Sequence, residues 1–199
     1  MLAQNEKIIG TTTCGIRTKD VVILAAETKS TMGNLVVSKE DKKIYPIEDR
    51  IAVTTSGSVG DLQQLIRIVK AEISLYKLES EVTVNAVVTL ISNILQSSRF
   101  FPYLVGLIVG GYDSTGPRIF GIDAIGGVTE DKYMASGSGS PLVYGILEKE
   151  YKEGMSKEEA IKLAVESIKA ARERDVYSGG KKIDVAIITK DGIEYKSFE

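Results

Sequence analysis

The chain has 199 residues, enough for one compact domain with a substantial core. Its 43% hydrophobic and 26% charged residues are ordinary for a soluble globular protein, and its net charge of −2 gives no basic field of the kind that binds nucleic acid. Its single cysteine rules out an intrachain disulfide, and the absence of any histidine removes Ser-His-Asp and Cys-His catalysis and His-containing zinc sites. A hydrolase built on this chain must take its base from an amine or a carboxylate, with no metal or cofactor expected. The longest apolar run, about Leu104 to Gly111, is too short to span a bilayer. The first ten residues, MLAQNEKIIG, carry Glu6 and Lys7 where a signal peptide would be apolar, so a cytoplasmic location is expected.

Residues 1–10 read as a short polar leader. Strands are predicted over Thr11–Arg17 and Val21–Glu27, the second so continuously apolar that both of its faces should be covered. Met32–Ser38 and Lys43–Ile47 read as a strand pair around a polar turn at 39–42, and Ile51–Ser56 as a further strand. Apolar residues at three- and four-residue spacing predict helices over Val59–Leu78 and Val84–Ser97. Strands resume at Tyr103–Val109, Arg118–Ile122 and Lys132–Ala135. The link Gly137-Ser138-Gly139-Ser140-Pro141 leads into a helix over about Leu142–Lys152, with Pro141 suited to its first turn. Another helix opens at Ser156, where Glu159 three residues on completes a capping-box pattern, and runs to about Arg174. A hairpin of Ile183–Thr189 and Ile193–Tyr195 closes around Asp191-Gly192. Strands, two helices, strands, two helices and strands in that order argue for α+β layers, two packed sheets with a helix pair on each outer face.

Gly10-Thr11-Thr12-Thr13-Cys14-Gly15 is the stretch that carries chemistry. β-Branched residues there suit a strand. They also suit a cut at Gly10–Thr11 that leaves Thr11 N-terminal. A free α-amine, with an unperturbed pKa of roughly 7.7–8.0, can take the proton that a threonine hydroxyl does not release by itself at neutral pH.

With Gly10-Thr11-Thr12-Thr13 at the head, the chain carries Ala25-Ala26-Glu27, Lys43, Ser56-Gly57 with Gly60-Asp61, Gly110-Gly111-Tyr112-Asp113, Gly137-Ser138-Gly139-Ser140 and Arg174-Asp175…Ser178-Gly179-Gly180. This ordered series resembles the β-subunit of the 20S proteasome, archaeal type, from Gly10 almost to the C-terminus. The resemblance implies a four-layer αββα sandwich of the N-terminal-nucleophile hydrolase type. It implies a proteolytic subunit in a seven-membered β ring, stacked within α-subunit rings, that takes unfolded proteins fed by a regulatory ATPase through the α ring. It implies a leader over residues 1–10 removed by self-cleavage from a catalytic domain over 11–199. The implied catalytic set is Thr11 as nucleophile, Lys43 beside it and Glu27 orienting Lys43, where most of the family carries Asp. Asp175, Ser178 and Ser138 are implied as supports near the threonine amine; by pattern alone they read as a helix-end charge and turn residues. Gly57 is implied as the oxyanion donor, and Thr31 and Val59 as lenders of backbone hydrogen bonds to an extended substrate. The implied side-chain pocket is lined by Ser30, Asp41, Tyr45, Thr55, Val59 and Gln63, with Thr55 as its floor. Lys29 stands where the family often has Arg, and Cys14 where Val is common. Two other functions compete: a structural β-ring subunit that stays unprocessed or needs a partner β-subunit, and an N-terminal-nucleophile amidohydrolase acting on small amides.

Overall fold

The computed structural model describes residues 10–199. The leader expected over 1–10 lies outside them except for Gly10.

Two five-stranded antiparallel sheets face each other. The first runs in the order β10-β1-β2-β11-β12 and the second β5-β6-β7-β8-β9. The first is made of β1 (Thr12–Arg17), β2 (Val22–Glu27), β10 (Tyr133–Gly137), β11 (Ile183–Thr189) and β12 (Gly192–Phe198). The second holds β5 (Ile44–Glu48), β6 (Ile51–Gly57), β7 (Val105–Asp113), β8 (Gly116–Ile122) and β9 (Val128–Glu130). Helices α1 (Val59–Tyr76) and α2 (Val84–Ser97) cover the second sheet, and α3 (Ser140–Glu150) and α4 (Lys157–Arg174) the first. The result is an αββα sandwich of four layers.

Strand alternation explains how one short apolar run serves two of these layers. In β2 and the residue before it, Val21, Ile23 and Ala25 pack against α3 and α4, while Val22, Leu24 and Ala26 enter the seam between the sheets. Strand β11 divides likewise, with Ile183, Val185 and Ile187 on the helices and Ala186 and Ile188 in the seam. The periodic stripes of α1 and α2 supply the third core through Leu62, Ile66, Val69, Val87 and Ile91. Helix α4 starts as its capping box requires: the Ser156 side chain accepts from Glu159 N–H, and the Glu159 carboxylate accepts from Ser156 N–H.

One expected pairing is wrong. Met32–Ser38 does not pair with Lys43–Ile47. Gly33, at φ +59°, turns the chain inside the supposed strand, so β3 (Ser30–Met32) pairs with β4 (Leu35–Ser38) as a separate two-stranded sheet. A glycine accommodates that left-handed backbone without a Cβ penalty. Strand β5 is thereby freed to pair with β6 across Asp49 and Arg50. Strand β9 was not expected; its three residues are exposed and carry no apolar alternation.

Candidate active site

The head of β1 lies at one end of the seam, and four segments converge there. Thr11 is 4% exposed. Its Oγ1 donates to the Gly10 carbonyl oxygen at 2.7 Å and accepts from Lys43 Nζ at 2.9 Å. The Lys43 ammonium also donates to Glu27 Oε1 and to the Lys29 carbonyl. An ammonium has three protons, and these are three acceptors, so the charged form is fully satisfied.

Glu27 sits at the end of β2 and is fully buried. Its Oε1 takes Lys43 and the Thr12 N–H at 3.3 Å. Its Oε2 takes the N–H groups of Lys29 at 2.6 Å and Gly179 at 3.0 Å. The Glu27 carboxylate thus joins the lysine to the loop after α4. Burial pushes the Glu27 carboxyl up, and Lys43 and the two amides pull against it. Burial likewise draws Lys43 below the ordinary lysine value, against the opposing pull of Glu27. Lys43 rather than Lys42 occupies this position because successive residues in extended backbone point to opposite sides; Lys42 is exposed.

Asp175, Ser178 and Ser138 do come together. Asp175 Oδ2 accepts from Ser178 Oγ at 2.6 Å and from Ser138 Oγ at 2.5 Å. Ser138 reaches Thr11 directly, its N–H donating to the Thr11 carbonyl at 2.9 Å.

Two glycines are fixed by close approach. A Cβ on Gly10 would lie 1.6 Å from Tyr177 Cβ and 2.7 Å from Tyr177 Cα, so only glycine fits before Thr11. A Cβ on Gly57, at φ +120°, would lie 2.0 Å from the Leu104 carbonyl oxygen. Nothing in the sequence near Gly10 announces Tyr177, which arrives from beyond α4.

The cleft at Thr11 is lined by Gly10, Ser30, Asp41, Lys42, Lys43, Tyr45, Thr55, Gly57, Val59 and Leu62. Its free volume is about 20 Å³, room for roughly one water. Thr55 forms part of it and is held by a hydrogen bond to the Lys43 carbonyl at 3.3 Å. Gln63 is not on this wall: it is exposed, and Leu62, one turn after Val59 on the inner face of α1, takes the place expected for it. Thr31 does not line the cleft; its Oγ1 is enclosed and without a partner among the described residues. A larger groove of about 470 Å³, between Glu48–Ile51 and Lys77–Val82, holds no part of this set. Among the described residues no helix is long and apolar enough to cross a membrane.

The four-layer αββα sandwich is that of the N-terminal-nucleophile hydrolase architecture. The family described as Proteasome, proteasome subunit, matches residues 9–188. The chain is 50% identical over 194 residues to proteasome subunit beta of Methanocaldococcus vulcanius, covering 96% of this chain and 86% of that one. It is 47% identical over 196 residues to proteasome subunit beta 2 of Thermococcus gammatolerans, covering 98% of each. With proteasome subunit beta of Ferroglobus placidus the identity is 52% over 184 residues, 91% of this chain and 87% of that one. The chain belongs to the proteasome subunit family.

Proposed function

We propose that the chain is a proteolytic β-subunit of the proteasome core particle, a threonine endopeptidase that frees its own nucleophile by cutting Gly10–Thr11. The observation that carries this reading is the position of Thr11 Oγ1 between the Gly10 carbonyl and the Lys43 ammonium.

Before the cut the Thr11 nitrogen is an amide and cannot act as a base. Lys43 Nζ is the basic atom in contact with Oγ1; in its uncharged form, the direction in which burial pushes it, it accepts the Thr11 hydroxyl proton. Thr11 Oγ then attacks the Gly10 carbonyl carbon, the Gly57 N–H stabilises the oxyanion, and the Gly10–Thr11 C–N bond breaks as its nitrogen is protonated. Water hydrolyses the resulting ester, releasing residues 1–10 with a Gly10 carboxylate and leaving Thr11 with a free amine. That amine is thereafter the base for the Thr11 hydroxyl, while Lys43, held charged by Glu27, stabilises the developing alkoxide. Substrate peptide bonds follow the same course through an ester on Thr11. Asp175, Ser178 and Ser138 flank the new amine. Val59 at the cleft and Thr31 beyond it lend backbone hydrogen bonds to an extended substrate, and Ser30, Asp41, Tyr45 and Thr55 receive the side chain before the cut bond.

The partners in this reading are other β-subunits in a seven-membered ring and an α-subunit ring, through which a regulatory ATPase delivers unfolded proteins in the cytoplasm. The test is intact mass of the chain before and after mixing with its α-subunit and any second β-subunit, alongside peptide hydrolysis. Loss of residues 1–10 together with appearance of hydrolysis, both absent in Thr11→Ala, is the expected result. A leader retained in every assembled particle would overturn the catalytic reading and leave a structural ring subunit.

A further inference from the structure

One buried hydroxyl beside the site has no part in the chemistry above. Strand alternation turns Thr12 away from the cleft of Thr11 and toward the layer of α3 and α4. The next residues on that face, Cys14 and Ile16, are buried in apolar packing. Thr12 is fully buried as well, but what it meets is polar. Its Oγ1 accepts the Gly139 N–H at 3.1 Å and lies 2.5 Å from Ser178 Oγ. The Ser178 proton is committed to Asp175, because a carboxylate only accepts, so in the contact between the two hydroxyls Thr12 is the donor. The bonds therefore run in one direction, from the Gly139 N–H through Thr12 and Ser178 to Asp175. Asp175 Oδ2 also holds Ser138, whose N–H fixes the Thr11 carbonyl. Thr12 is the point at which β1, the start of α3 and the loop after α4 are tied together. A valine would match its volume and suit the neighbouring apolar layer, so the hydroxyl is the informative feature.

We propose that Thr12 is a positioning residue for the hydrolysis: its hydroxyl orients Ser178, and through Ser178 it sets the Asp175 and Ser138 groups that hold Thr11. This rests on the reading of Thr11 as nucleophile. Networks of this kind act as a unit, so loss of one member is felt by the rest.

The experiment compares Thr12→Val and Thr12→Ser with wild type in assembled particles, with kcat and KM expressed per processed chain. Thr12→Val is expected to lower kcat between about tenfold and a hundredfold, the scale of a misplaced reacting group, with KM within about twofold. Thr12→Ser should restore kcat, and adding Ser178→Ala to Thr12→Val should cost little more than Ser178→Ala alone. Thr12→Ala is read in the same way if the valine chain does not assemble. A wild-type kcat in the valine or alanine variant overturns the assignment, as does failure of both to assemble beside an active Thr12→Ser, which marks the residue as structural. If wild type itself neither self-cleaves nor hydrolyses peptide, the function proposed above falls and this inference falls with it. If wild type does both and Thr12→Val matches it, only the Thr12 assignment falls.

Discussion

The seam between the two sheets has two regions of opposite character. Its middle is apolar, filled by Val22, Leu24, Ile44, Ala52, Ile108, Ile119, Ala186 and Ile188, all essentially buried. Its end at the head of β1 is equally enclosed but polar: Thr11 against Lys43, Thr13 against Thr54, Ser56 against Ser136, and Glu27 beneath. The middle needs only volume and shape, because dispersion and water exclusion are not directional. The end needs partners, because each buried donor or acceptor left unpaired costs more than its bond contributes. Strand β2 contributes to both regions, through Val22 and Leu24 in the middle and Glu27 at the end. The site is therefore anchored by the part of the seam that has no chemistry, and the two regions should fail differently when altered.

The largest expected effect is at the polar end. On the function proposed above Thr11→Ala removes the nucleophile, and both self-cleavage and peptide hydrolysis should vanish while the chain still folds and assembles. Intact mass and hydrolysis by the assembled particle check this. Glu27→Gln should come next. It deletes the charge that holds Lys43 up, so Lys43, already lowered by burial, falls further. If Lys43 acts as the ammonium proposed above, hydrolysis is lost as pH rises through the Lys43 value. The alkaline limb of the kcat/KM profile should therefore move to lower pH than in wild type. An unmoved limb beside a lowered plateau would show that Glu27 acts by orientation alone.

The apolar middle should respond in stability rather than chemistry. Ile108→Ala, at a side chain 1% exposed, should cost about 2–5 kcal/mol of unfolding free energy, read from urea denaturation. The kcat per processed chain should stay near wild type. A large kcat loss there would mean that the seam transmits packing changes to Thr11, and the division between the two regions would dissolve.

How much of this was legible in the sequence follows the same division. The apolar layers were: the stripes of α1 and α2, the continuous run of β2 and the capping box of α4 are local signals, and local signals predict local structure. The hairpin at Gly33 was misread because one glycine inside an apolar run is ambiguous between a strand position and a turn. The site was legible only in pieces. Thr11, Lys43 and Glu27 could be assigned roles through the family resemblance, and strand alternation favoured Lys43 over Lys42. Ser138 and Asp175 are 37 residues apart, and no periodicity joins a link before one helix to a loop after the next. The abutment of Tyr177 on Gly10 and the bond from Thr12 to Ser178 belong to the same class: they arise from tertiary closure of the first sheet on the end of α4. The choice between Leu62 and Gln63 was not open to spacing either, because residues three and four on from Val59 share its helix face.

The smallest effect tests the boundary between the regions. Thr54 Oγ1 donates to Thr13 Oγ1 at 3.0 Å across the seam, one residue pair inward from the chemistry, and both residues are fully buried. If the polar end obeys the partner rule, Thr54→Val should cost about 1–3 kcal/mol, because it strands the Thr13 hydroxyl away from water. Adding Thr13→Val should then recover most of that loss, since two methyl groups of the same shape leave nothing unpaired. The double-mutant cycle, read by urea denaturation, should show a coupling of about 0.5–3 kcal/mol with kcat per processed chain unchanged. Recovery in stability with kcat intact would put the inner edge of the catalytic region between Thr13 and Thr11. A kcat loss in the recovered double variant would extend that region inward to the Thr13–Thr54 pair, and the apolar middle would begin at Leu24 and Ile108.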